Sequence, residues 1–160
     1  MLKKLIYLCF SVVLFSACGD EPIDSCVGVD CGVSGECLDG TCDCEDGYFG
    51  DNCELLIQDR FVGTWSGLDC DGDIFNLIIE SGSTAVTLII NEQLFDINAN
   101  IIDENNFYVP EQFFFVVILG INITVIGAGK ILENSMLEFD ASIAADGEDP
   151  ESCISVLEKQ

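Results

Sequence analysis

Six cysteines crowd into positions 26–53, at Cys26, Cys31, Cys37, Cys42, Cys44 and Cys53, with four, five, four, one and eight residues between them. A segment this short and this poor in large aliphatic residues cannot bury enough apolar surface to fold unaided, so cross-links have to replace a core. Spacing alone leaves their pairing open. Ten cysteines in 160 residues point to an oxidising compartment, because cytosolic thiols are kept reduced. The chain has no histidine, which removes the usual general base near neutral pH and the commonest ligand of zinc, copper and non-haem iron. Paired carboxylates arise by chance among 29 acids, so no glycosidase dyad stands out. The expectation is a protein without catalytic activity.

Within the cysteine-rich segment, Cys42 and Cys44 flank a single residue, Gly47 and Tyr48 follow, and Gly50 precedes Cys53. This pattern resembles the EGF-like family over residues 26–53. The resemblance implies the pairs Cys26–Cys37, Cys31–Cys42 and Cys44–Cys53, with Gly47 and Gly50 supplying turn geometry and Tyr48 packing on a minor sheet. It also implies a rigid spacer. Pro22 and Ser25 stand where calcium-binding members of that family carry acids or amides, so calcium is not expected in this module.

The amino terminus reads as an address. Lys3 and Lys4 precede an apolar run from Leu5 to Phe15, the length of a signal-peptide core and short of the roughly 20 residues that a membrane span needs. The run ends in Phe15-Ser16-Ala17-Cys18, which resembles the lipobox of bacterial lipoproteins. The resemblance implies a signal peptide over 1–17, acylation of Cys18 and a lipidated linker over 18–25. Cys9 sits inside the apolar run behind bulky Leu8 and fits a small-residue cleavage site poorly. Gly19-Asp20-Glu21-Pro22 resembles the export signal of Bacteroidetes-type surface lipoproteins, implying a lipid anchor in the outer membrane with the protein facing the cell exterior.

A net charge of −24 repels nucleic acid and anionic membrane surfaces, and loss of Lys3 and Lys4 with the leader makes the balance more acidic still. The expected partners are the membrane through the lipid anchor and an extracellular protein or glycan, with no nucleic acid.

From Phe61 onward the dominant period is two. Phe95 to Ile101 and Leu137 to Ile143 alternate apolar with polar residues, as half-buried antiparallel strands do. Shorter β-branched or aromatic runs at 63–68, 74–80, 84–90, 107–118, 121–128 and 153–158 are separated by turn signals such as Asp71-Gly72 and Asp146-Gly147. About eight strands result, with Pro110 as a kink within one edge-like strand. The apolar stretch 113–132 is broken by Asn122, Thr124 and glycines, so strands fit it better than a membrane span. The fold class is all-β: the EGF-like module, then over 61–160 an antiparallel up-and-down β-barrel or a β-sandwich. Phe61-Val62-Gly63-Thr64-Trp65 resembles the opening of lipocalin-like barrels, which makes Trp65 a candidate ligand-binding residue beside the Phe113–Phe115 region.

In an even-stranded barrel the end of the first strand meets the start of the last. Cys70 and Cys153 occupy those places, which predicts a disulfide between them, on the outer face if Trp65, Ile154 and Val156 point inward. That bond brings Asp69, Asp71 and Asp73 beside Asp146, Glu148, Asp149 and Glu151. Two readings stay open: solvated turns, favoured because Asp71-Gly72 suits a tight hairpin, and a weak calcium site as the one cofactor to be entertained. The leading functional expectation is a surface binding or adhesion module on its EGF-like spacer. The alternative is a lipocalin-like carrier of a small hydrophobic ligand.

Overall fold

The computed structural model describes residues 25–91, 95–146 and 148–160. The leader, Cys18 and the acids behind it lie outside the described residues, as does Gly147. The first elements are two small hairpin-like pairs, β1 (Gly35–Leu38) with β2 (Thr41–Cys44) and β3 (Tyr48–Phe49) with β4 (Leu55–Leu56). Disulfides Cys26–Cys37, Cys31–Cys42 and Cys44–Cys53 staple them. Cys53 and Cys31 are buried where a larger domain would place aliphatic side chains.

A single helical turn, α1 (Gln58–Phe61), leads into β5 (Gly63–Leu68), β6 (Ile74–Ser81), β7 (Thr87–Asn91), β8 (Asp96–Ile101), β9 (Asn106–Val116), β10 (Ile121–Ile131), β11 (Leu137–Ala145) and β12 (Glu151–Lys159). Among the described residues these eight strands form a closed antiparallel barrel in sequence order, with β12 returning to β5. A barrel, not a sandwich, is therefore the architecture. The apolar stretch around 113–132 forms the β9–β10 hairpin, and among the described residues no helix is long and apolar enough to cross a membrane.

The two ends of the barrel differ. At the end where α1 enters, Phe61, Trp65, Leu77, Ile79, Leu88, Ile90, Phe107, Leu137 and Leu157 are fully buried and pack together. Trp65 donates its indole N–H to the Phe61 carbonyl at 2.7 Å, and Phe61 meets Phe107 edge-on at 5.3 Å. Gly129 lies directly under the Phe107 ring, so that a Cβ there would collide with it. Gly127 likewise leaves room for the Asp140 carbonyl of the neighbouring strand. The cysteine-rich module docks at this end: Gly47 approaches the backbone of Ala85, its carbonyl accepts the Ile57 N–H, and Gln58 Nε2 donates to the Thr84 and Thr87 carbonyls.

Strand β12 corrects one expectation. Ile154 and Val156 face out, whereas Ser155 and Leu157 face in and Cys153 shares their side of the strand. The strand carries apolar residues on both parities, and the choice falls to Leu157, which fits opposite Gly67 in the tightly packed end. A one-residue parity error turns every side chain over, so Cys153 is on the inner face.

Replacing Gly129 with Ala should force Phe107 from its place and cost about 1–3 kcal/mol, the usual range for overpacking, read as a lowered denaturation midpoint with unchanged slope.

Candidate functional site

Two of the eight ladders stop short. The β12–β5 ladder runs only from Leu157 opposite Gly67 to Lys159 opposite Trp65. The β8–β9 ladder holds only Asn100 opposite Tyr108 and Ile101 opposite Phe107. Both surviving segments lie at the packed end, so both seams part toward the other.

Side-chain chemistry bridges each parted seam. Across β5 and β12 the bridge is covalent, Cys70–Cys153, with the Cα atoms 5.7 Å apart. Across β8 and β9 it is the amide of Gln112. Pro110 has no N–H to offer a ladder, and it sits where the β9–β10 register shifts, Val109 facing Gly127 but Gln112 facing Val125. The Gln112 side chain reaches over to Asn98, accepting its backbone N–H at 3.0 Å and donating to its carbonyl at 2.8 Å. The same Nε2 donates to the Pro110 carbonyl at 3.2 Å. The amide thus serves as an inserted peptide group. Pro110 is no kink in an edge strand: it lies inside a closed barrel, at a bulge.

Where the seams part, the barrel holds a cavity of about 760 Å³. Phe75, Phe95, Ile97, Val109, Val125 and Phe139 line it. Phe95 stacks on Phe114 with ring centroids 4.3 Å apart, which walls one side. Ala141 and Gly127 leave the adjoining β10–β11 wall low. Asp69, Asp71, Glu148, Asp149 and Glu151 also line the cavity, as do Cys70, Cys153 and the inward hydroxyl of Ser155.

The other expected site residues fall elsewhere. Trp65 belongs to the packed end and does not line the cavity, because its ring fills the core above α1. Phe113 and Phe115 face outward, 71% and 62% exposed, and continue into the exposed hairpin tip Val117-Ile118-Leu119. The expected acids are tied into loops: Asp69 Oδ1 accepts the N–H groups of Asp71 and Asp73 at 3.0 and 2.9 Å. Asp146 Oδ2 accepts from the Asn122 backbone and side chain at 3.0 and 2.7 Å. Asp73 and Asp146 do not line the cavity. Among the described residues no group of three or more acids or cysteines is arranged to hold a metal ion.

The cationic side chains gather at one end of the barrel. Arg60, Lys130 and Lys159 all stand at the packed end, where Arg60 bonds Asn105 and Lys159 Nζ donates to the Asp59 and Arg60 carbonyls. Gln112 carries a bridging role that composition concealed. For Gln112 the one signal was a proline in a strand with an amide two residues on.

The Cys70→Ser, Cys153→Ser double variant should lose about 4–5 kcal/mol in the chain-entropy picture, given the sequence separation of 83, with the midpoint of chemical unfolding as readout. Gln112→Ala should cost about 0.5–1.5 kcal/mol and speed hydrogen exchange at the Asn98 amide, leaving the Asn100 and Ile101 amides protected.

No known protein family, curated protein or solved structure matches the chain.

Proposed function

We propose that the protein is a non-enzymatic, lipid-anchored surface carrier that holds a small, largely apolar molecule inside its barrel. The observation that supports this is the cavity of about 760 Å³ with its apolar lining, inside the range of roughly 300–1,000 Å³ typical of small-molecule sites. An eight-stranded barrel is just wide enough either to be filled by side chains or to keep room for one small ligand. This barrel does the first at one end and the second at the other. The lipobox-like Cys18 and the EGF-like spacer then serve display: more than one acyl chain gives a stable anchor. Docked at the packed end, the module leaves the mouth of the cavity unobstructed.

A second reading, attachment to an extracellular protein, is favoured by the β9–β10 hairpin, whose Phe113, Phe115 and Val117-Ile118-Leu119 tip are exposed. Contiguous exposed apolar surface of this kind marks interaction sites. The two readings use different faces of the same hairpin and separate cleanly by mutation.

The test uses the neutral fluorescent probe N-phenyl-1-naphthylamine. Its emission should rise on binding to the protein and saturate at one equivalent. Ala141→Phe, which extends a ring from the low wall into the cavity, should abolish the rise while leaving the melting temperature within a few degrees of the parent. Phe113→Ser with Phe115→Ser should leave it intact. Loss of probe binding in the hairpin variant and retention in Ala141→Phe would contradict the carrier reading.

A further inference from the structure

A carrier has to let its molecule go, and the Cys70–Cys153 bond stands where release is controlled. We infer that this disulfide is a redox-operated latch: a small dithiol reduces it ahead of the other three, the β5–β12 seam parts, and the bound molecule leaves the cavity. The inference rests on the carrier reading.

Position sets this bond apart. Of the eight bonded cysteines, Cys70 is the one that is exposed. In the cysteine-rich module Cys31 and Cys53 are buried, at 7% and 2% exposure, and the Cys26–Cys37 pair is half-buried at both cysteines. Thiol–disulfide exchange needs a thiolate to reach a sulfur, and exposed disulfides are the labile ones. Cys70 and Cys153 also both line the cavity, so the bond is part of the wall that confines a ligand.

The seam depends on this bond at the open end. Hydrogen-bonded pairing of β12 with β5 stops at Leu157 opposite Gly67. Among the described residues no hydrogen bond joins residues 69–73 to residues 148–155. Asp69 and Asp71 on one side, and Glu148, Asp149 and Glu151 on the other, carry charge of one sign and repel. Each strand nevertheless keeps its other neighbour. Strand β5 is paired with β6 as far as Leu68 opposite Ile74, and β12 with β11 as far as Glu151 opposite Ile143. Breaking the disulfide therefore parts one seam and leaves both strands in the sheet. An apolar molecule held against Phe75 and Phe139 then meets water, and the burial that retained it is lost.

The exchange balances without a further reactant. One thiolate of the dithiol attacks Cys70 Sγ, the S–S bond breaks, and Cys153 leaves as a thiolate that takes up a proton. The second thiol of the reductant, deprotonated in turn, displaces Cys70 from the mixed disulfide, and Cys70 is protonated. Two electrons and two protons pass from the dithiol to the protein, and the reductant departs as its own disulfide.

The experiment treats the full chain, loaded with N-phenyl-1-naphthylamine, with increasing dithiothreitol at neutral pH and quenches with iodoacetamide. Among the eight bonded cysteines, the first two alkylated should be Cys70 and Cys153, located by mass spectrometry. Over the same range probe affinity should fall about ten-fold, the drop for a closed form left about one-tenth populated, while the Leu77 and Leu88 amides stay protected from hydrogen exchange. Reoxidation should restore binding. The Cys70→Ser, Cys153→Ser variant should bind the probe as weakly as the reduced parent and give no response to dithiothreitol. Undiminished probe binding once both thiols appear, alkylation of the module's cysteines first, or loss of protection at Leu77 would overturn the latch while the carrier reading stands. A parent that takes up no probe before reduction would overturn the latch together with the carrier reading.

Discussion

Closing a sheet into a barrel requires every strand to find a partner on both sides, and in this protein two of those partnerships are made by backbone for only part of their length. Between β12 and β5, and between β8 and β9, hydrogen-bonded pairing is confined to the end that α1 plugs. Beyond it, the Cys70–Cys153 bond and the Gln112 amide hold the strands at working distance. These two bridges let the barrel open without coming apart. Continuous ladders would draw the same strands together and leave side chains to fill the interior, as they do around Leu77, Leu88 and Leu157.

Close packing and open space are thereby divided along one axis. The packed end gathers the large buried side chains, the indole hydrogen bond of Trp65 and the docked disulfide module. The open end keeps the space, the carboxylates and the inward hydroxyl of Ser155. Because a well-packed interior transmits strain and tolerates little change in volume, the separation lets the open end vary without loosening the core. The disulfide stands at the open end: it clamps the last strand to the first, and the Ser155 hydroxyl lies 3.7 Å from its Cys153 sulfur.

Much of this frame was legible in the amino-acid order. The clean alternation of Phe95–Ile101 and Leu137–Ile143 reads as strand because only one parity is apolar. Counting strands placed Cys70 beside Cys153, since parity of strand number decides which ends meet. What escaped was whatever depended on a choice between two equally apolar faces. Strand β12 offers Ile154 and Val156 on one side and Leu157 on the other, and only the fit of Leu157 opposite Gly67 decides. The inward turn of Cys153 and Ser155 follows from that and from nothing local. Trp65 misled for a related reason: a large aromatic at the start of a barrel reads equally as core or as ligand wall. The acids at 69–73 and 146–151 were brought to one end, where hydrogen bonds within and between the loops hold Asp69 and Asp146.

The central claim is that the open end of the barrel is a binding cavity, and methyl-resolved NMR of the protein titrated with N-phenyl-1-naphthylamine tests it most directly. The account predicts that shifts and contacts to the aromatic rings of the probe concentrate on the methyl groups of Ile97, Val109, Val125 and Ile143, with Leu77, Leu88 and Leu157 undisturbed. Contacts gathered instead on Val117, Ile118 and Leu119 would place the ligand on the outside of the hairpin and contradict the claim.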